Sequence, residues 1–355
     1  MNNPKPTNQN FTSYIAMQPL IECIPNFSSV APDILEALCE RIQTFPVRLL
    51  GVDSGASANR TVITFCGPAD AVFLAAGEAL AVAIEWIKIR PDQGVHPYIG
   101  ACDVMPFVAL EPGHRNKLAA RVQDWAQEQA TRFDLPIHLY EHNARNAERA
   151  NLAFHRQGGL QALATRLASA DGSPDFGPTL PHPTAGAMVT GLRNLLVAFN
   201  INLTTSDAAI ARAIAARIRE KSPNGLPGLK AIGWTIREFQ CAQVSTNIYQ
   251  PEKLAIHQVF ERVKLESQNF GCATNGCELV GLLPFQHWHQ ASQFYAAAHA
   301  EPQHFRHVDY QPVVHAMGLD RVKPFMPQHH ILEWAAGLDE KLRLEDLANP
   351  DFFPI

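Results

Sequence analysis

The feature that most constrains the fold of this chain is a succession of segments that occurs twice. A short apolar stretch at 20–24 stops at Pro25, and helical spacing follows in APDILEALCERI, with Pro32 and Asp33 as first-turn signals. Two strand-like stretches, 48–52 and 60–66, flank the turn-rich DSGASAN. A long helix from Ala69 to about residue 89 and a strand at 103–109 close the series. From residue 195 the order returns: the strand LLVAFNINL, a helix over 207–219 with Ser206 as N-cap, strands at 230–236 and 241–247, a helix at 251–265 and a strand at 278–283. Each series reads β-α-β-β-α-β, the split βαβ arrangement of a ferredoxin-like domain. The fold class expected is therefore α+β, with two such halves side by side. Between them lie a helix (115–132), a strand (136–140) and the Gly- and Pro-dense loop DGSPDFGPTLPHPT. A loop of that length in a compact chain is often functional.

Composition narrows the class of partner. The 355 residues are 46% hydrophobic and 18% charged, enough apolar material for two cores. The net charge is -5 and no polybasic run occurs, which argues against nucleic acid and anionic membrane surfaces and favours a small polar substrate. The longest apolar run, 71–87, is interrupted by Glu78 and Glu85 on one helical face, so it reads as a buried amphipathic helix and not as a membrane span. The seven cysteines are scattered without a CxxC pair, as expected of reduced thiols in a cytoplasmic protein. The polar, proline-bearing start reads as a loose tail over 1–18, with Met17 as an alternative start, and residues 301–355 read as a helical extension.

Two stretches could carry chemistry. In GVHPYIGACDVMPFV (94–108), His96 lies between glycines and a proline just before a strand, where a loop can present an imidazole for proton transfer. The plainer reading is a turn histidine bonded to backbone. In VDSGASANRTVITF (52–65), Asp53 ends one strand while Asn59 and Arg60 open the next, and the turn between them could offer N–H donors to an anion. It lacks the GK[ST] ending of a phosphate loop, and a polar hairpin with a satisfied carboxylate is the plainer reading. Cys102 is close enough in sequence to His96 to suggest a nucleophile pair, but packing is favoured. His287 and His289 lack a HExxH spacing and Cys272 and Cys277 lack a second pair, so no metal site is expected.

Several segments together resemble the formiminotransferase domain family. They are ECIPNFS (22–28), VDSGASANRTVITFCG (52–67), GVHPYIGACDVMPF (94–107), PDFGP (174–178) and GAMVTGLRNLLVAFNINL (186–203). IGW (232–234), AQVSTNI (242–248), ELVGLLP (278–284) and GLDRVKPFMP (318–327) continue in the same order. The resemblance implies subdomains at 19–193 and 194–300, a folate tunnel between them, and a cytoplasmic homodimer. It implies transfer of the formimino group from N-formimino-L-glutamate to N5 of tetrahydrofolate, a step of histidine breakdown. Tetrahydrofolate is then a co-substrate, no metal takes part, and the companion cyclodeaminase domain is absent. By position, His96 matches the family's catalytic histidine and Asp53 the aspartate that contacts it or the pterin. Folate contacts are implied for Gly177, Pro178, Thr179, Leu180, Pro181, His182, Pro183, Thr184, Ala185 and Gly186. Substrate contacts are expected from Asn26, Asn59, Arg60 and Arg193.

The sequence also departs from the family pattern. NFSEGR becomes NFSSVA at Ser29, Val30 and Ala31, and HPR becomes His96-Pro97-Tyr98. Asp92 replaces a histidine and Val95 a glutamate. Cations that could meet substrate carboxylates are thereby lost, and buried charge needs a partner. Two other readings stay open: a related formyl transferase using 5-formyltetrahydrofolate and glutamate or another amine, and a non-catalytic folate-binding or assembly protein of the same fold.

Overall fold

The computed structural model describes residues 18–91, 94, 96–111, 113–296 and 311–337. The tail expected over 1–18 lies outside them except for Gln18, as do 301–310 and 338–355 of the expected C-terminal extension. The chain divides into two compact units, one through Arg193 and one from Asn194.

In the first unit, β1 (Leu20–Cys23) and β2 (Asn26–Phe27) are one strand interrupted at Pro25, which has no N–H for a ladder. Then come α1 (Pro32–Gln43), β3 (Arg48–Gly55), β4 (Arg60–Pro68), α2 (Ala69–Trp86) and β5 (Cys102–Ala109). They are followed by α3 (Arg115–Phe133), β6 (Ile137–Leu139), the short α4 (Leu152–His155), α5 (Gly159–Leu167) and β7 (Met188–Arg193). All seven strands form one sheet in the order β3-β4-β1/β2-β5-β7-β6. Pairing is antiparallel except where β7 meets β5 and β6.

Alternation along the strands gives this sheet two unlike faces. Ile21, Cys23, Phe27, Ile63, Phe65, Met105 and Phe107 join Leu38 and Ile42 of α1, Val72 and Leu80 of α2, and Val122 and Trp125 of α3 in one apolar core. The intervening residues Glu22, Asn26, Arg60, Val62, Thr64 and Cys66 therefore belong to the other face. The helices are laced at their rim by Glu78, which pairs with Arg41 at 3.1 Å and Arg132 at 2.7 Å. Among the described residues no helix is long and apolar enough to cross a membrane.

The second unit runs β8 (Val197–Leu203), α6 (Ala208–Ile218), β9 (Leu229–Ile236), β10 (Cys241–Ile248), α7 (Ile256–Gln268), β11 (Thr274–Val280) and α8 (Phe285–Ala296). Its sheet is antiparallel, in the order β11-β8-β10-β9. In both units the first strand of the series is central, the third and fourth flank it, and the second lies beyond the third. The twice-repeated element order is thus a twice-repeated topology. Val313, Val314, Met317, Leu319 and Ile331 share the core of this unit with Phe199, Val244 and Trp288.

Three boundaries differ from the sequence expectation. Asp207, not Ser206, caps α6, its Oδ1 accepting from Ala209 N–H at 2.7 Å. The helix α7 starts at Ile256, because the Gln258 side chain turns back to accept from Ala255 N–H at 2.9 Å and fixes the first turn there. β11 begins at Thr274 because a bulge between Thr274 and Cys277 lets pairing with β8 continue past the irregularity.

Gly233 on β9 shows why a glycine stands in IGW. A Cβ there would lie 2.1 Å from Arg212 N, inside the backbone of α6. The helix rests directly on the strand, and no neighbouring side chain can yield. Gly233→Ala is expected to cost roughly 1–3 kcal/mol by overpacking, measured as a lower urea midpoint at unchanged m. An unchanged midpoint would mean that α6 does not approach β9 so closely.

Candidate active site

His96 lies on the loop between α2 and β5, and the loop is held from three directions. Gly94 has φ +79, and a Cβ there would stand 2.2 Å from Ala58 O. Glycine alone lets the loop lie against the turn that joins β3 to β4. Tyr98, in the place of the family's cation, is buried and its hydroxyl donates to Arg90 O, so it serves as an anchor for the loop. Beyond it, Ser28 Oγ donates to Gly100 O at 2.7 Å. Asp92 and Val95 lie outside the described residues.

A buried ionic cluster stands beside this loop. Pairing between β2 and β5 steps from Asn26–Val104 to Phe27–Cys102, so Asp103 is the extra residue of a bulge. Bulges re-aim side chains, and this one turns a fully buried carboxylate toward the polar face. Arg60 Nη1 donates to Asp103 Oδ2 at 2.8 Å, and Arg156 Nη2 donates to the same oxygen. Ile99 N–H donates to Oδ1 at 2.9 Å. Arg60 Nε donates to Asn26 Oδ1 at 2.9 Å, and Asn26 Nδ2 to Ile24 O at 2.8 Å. Asn59 Nδ2 donates to Ser28 O at 3.3 Å. One carboxylate thus gathers two guanidinium groups.

The half-buried imidazole of His96 meets this cluster through Nδ1. Pro97 O lies 2.7 Å from Nδ1 and can only accept, so Nδ1 carries the hydrogen and the lone pair sits on Nε2. Arg60 Nη1 stands 3.4 Å from Nδ1. Burial, then Arg60 and Arg156, push the imidazole well below the usual histidine range, and Asp103 only partly offsets them. Burial also opposes ionisation of Asp103, but Arg156 and Arg60 outweigh it and hold the carboxyl down at about 2. Burial lowers Arg60 to about 10 against the opposing pull of Asp103. At neutral pH the site is a neutral imidazole beside two cations sharing one anion. Such a site can accept a proton at Nε2 and face a negative group.

Asn26, Arg60 and His96 are brought together, with Asn59 on the adjoining turn. Asp53 is opposite Val62, and Val62 is opposite Asn26, so Asp53 is in the same row. It stands two strand spacings from Asn26, roughly 10 Å. The segment 177–186 ends against the His96 loop: Ala101 N–H donates to Ala185 O at 2.9 Å and Ala187 N–H to Ile99 O at 3.0 Å. His182 and Gly186 exchange backbone hydrogen bonds of 2.8 and 3.0 Å, closing a tight turn. At the other end, Gly177 packs on the backbone of Leu135.

Arg193 is elsewhere. It pairs with Val108, five residues along β5 from Asp103 or roughly 16 Å. There it faces the buried Glu22, whose carboxyl burial pushes up to about 7 while Arg193 works against the rise. Cys102 is buried in the core, and burial pushes its thiol up, so it packs and does not pair with His96. Among the described residues no group of metal-ligating side chains could hold an ion. The second unit has its own polar sheet face, where Trp234 Nε1 donates to Gln243 Oε1 at 2.8 Å and Gln243 Nε2 to Asn202 Oδ1 at 2.9 Å. Asn200 and Gln243 also reach Glu278, which Lys323 pairs at 2.8 Å. Sequence reasoning missed Asp103 and Arg156. An aspartate inside a buried apolar strand was a usable signal for the first, but nothing marked the second.

The chain holds two β-α-β-β-α-β units, and in the first a neutral imidazole is set against paired guanidinium groups, an arrangement able to exchange a proton and to face an anion. The chain belongs to the formiminotransferase family. Residues 20–193 match the formiminotransferase domain, N-terminal subdomain, and residues 198–336 match the formiminotransferase domain. Over 281 residues it is 36% identical to the glutamate formimidoyltransferase of Streptococcus pyogenes serotype M1, covering 79% of this chain and 94% of that protein. The glutamate formimidoyltransferase of Thermoplasma acidophilum is 31% identical over 280 residues, 78% of this chain and 92% of that one. The formimidoyltransferase-cyclodeaminase of Rattus norvegicus is 36% identical over 329 residues, 90% of this chain, and the chain spans 60% of its length.

Arg60→Met removes the cation nearest His96 and is expected to raise the pKa of the imidazole, followed through its Cε1–H resonance in a pH titration. An unmoved titration would show that Arg60 does not set the charge state of this ring.

Proposed function

We propose that the protein transfers the formimino group from N-formimino-L-glutamate to N5 of tetrahydrofolate. The observation that carries this reading is the geometry at His96, where a backbone acceptor fixes Nδ1–H while burial and two guanidinium groups keep the ring neutral. In this reading His96 Nε2 accepts the proton that N5 sheds as it attacks the amidine carbon. The same group then returns a proton to the departing glutamate nitrogen, serving as base and then acid. Holding both substrates in one place removes much of the entropic barrier. Asp53 contacts the pterin, residues 177–186 the folate, and Asn26, Asn59 and Arg60 the amino-acid donor. Arg193 serves the far end of a substrate. The interleaved strand order of each unit supports a ferredoxin-like description, with subdomains at 19–193 and 194–300. A cytoplasmic homodimer belongs to the same reading, on the family resemblance.

The test is a spectrophotometric transfer assay with both substrates. Wild type should turn over, and His96→Ala should lose roughly 10²–10⁴-fold in kcat. A base must be unprotonated to act, and the His96 pKa lies below the ordinary value. The acid limb of kcat/KM should therefore fall below the ordinary histidine range, with activity retained as pH drops through it. Turnover indifferent to the substitution would remove His96 from the reaction. Transfer only from 5-formyltetrahydrofolate would assign a formyl transferase, and folate binding without turnover a non-catalytic protein.

A further inference from the structure

We propose that Arg156, together with Arg60 and the Asp103 carboxylate that bridges them, forms the subsite for the α-carboxylate of the donor amino acid. The identity of the donor rests on the transferase reading above. The charge count is the first argument. Two guanidinium groups, with side chains 10% and 12% exposed, share one fully buried carboxylate, which leaves one positive charge without a counter-ion in the cluster among the described residues. Buried charge is costly unless paired, so the cluster is complete only when a second anion joins it.

The second argument is an orphaned donor. Arg156 meets Asp103 through Nη2, while its Nε is buried without a hydrogen-bond partner. A residue serving only to neutralise Asp103 would be redundant with Arg60, which already donates to the same oxygen. The side chain keeps 12% exposure, so the outer part of the guanidinium can still meet a carboxylate, while the buried Nε shows that Asp103 does not take the whole fork.

The third argument is placement. Arg60 Nη1 stands 3.4 Å from His96 Nδ1, so an anion on this pair lies against the ring that moves the proton. In N-formimino-L-glutamate a single carbon separates the α-carboxylate from the nitrogen that must depart, whereas the other carboxylate ends the side chain. With the departing nitrogen at the imidazole, the α-carboxylate is the group within reach. Arg156 thereby supplies the cation that Tyr98 does not.

Calorimetric binding distinguishes the possibilities. The probes are N-formimino-L-glutamate, N-formimino-L-norvaline with the α-carboxylate alone, and 4-formimidoylaminobutanoate with the distal one alone. Arg156→Met should weaken the first two by roughly 10- to 100-fold and leave the third, and tetrahydrofolate, as in wild type. Arg156→Lys keeps the charge without the fork and should fall between; it stands in if the methionine variant fails to fold, which thermal unfolding reveals. The proposal is overturned if the substituted protein binds N-formimino-L-glutamate as wild type does. Loss of tetrahydrofolate together with the donor would also overturn it, as the mark of a structural role, as would wild type binding neither α-carboxylate compound. Failure of the transferase reading looks different: wild type binds both compounds through Arg156 yet shows no transfer.

Discussion

The ion cluster around Asp103 is the constraint on which the rest of the site depends. A carboxylate sealed inside a sheet is far more costly than one in water unless positive donors reach it. Here they come from three separate parts of the first unit: Arg60 at the start of β4, Arg156 just after α4, and the Ile99 N–H of the loop that carries His96. The cost of burying the acid is thus turned into a reason for those parts to converge. The bulge in β5 is what makes it possible, since regular alternation would aim Asp103 into the apolar core with Met105 and Phe107.

The two-faced sheet explains why chemistry gathers where it does. Helices α1, α2 and α3 take the apolar face, and their packing needs leave the opposite face open to polar side chains. Asp53, Asn26, Arg60 and Glu22 all lie there, at different heights along the strands. The second unit repeats the scheme with amides in place of arginines. Trp234, Gln243, Asn202 and Glu278 satisfy one another from strand to strand, which suits a rigid polar surface. The first unit's face differs in carrying excess charge and unused donors, which gives it something left to bind.

Much of the architecture was legible because periodicity and turn residues act locally. The β-α-β-β-α-β order and the apolar strands follow from neighbours in sequence, and the fold keeps them. Errors arose where distant or side-chain contacts decide: Gln258 setting the start of α7, Asp207 capping in place of Ser206. That His96 lies on a loop just before β5 was legible because glycines and a proline surround it. Arg156 was not, because its meaning comes entirely from meeting Asp103 across 53 positions of chain. Arg193 illustrates the converse. It ends a strand in a motif that resembles the family, but parallel register places it beside Glu22 and far from the imidazole.

In the transferase reading, a base placed beside two cations looks at first like a poor choice, because each cation weakens it. Proton transfer needs the correct protonation state as well as driving force. Burial favours the neutral ring more than Asp103 favours the charged one, and only a neutral ring can accept the proton of an attacking amine. Arg60 and Arg156 add to the effect of burial, at the expense of basicity. The same cations can hold a negative donor in place, and an anion seated there would return part of the lost basicity to the ring. Donor binding and activation of the base would then be one electrostatic event: the imidazole strengthens as the substrate arrives beside it.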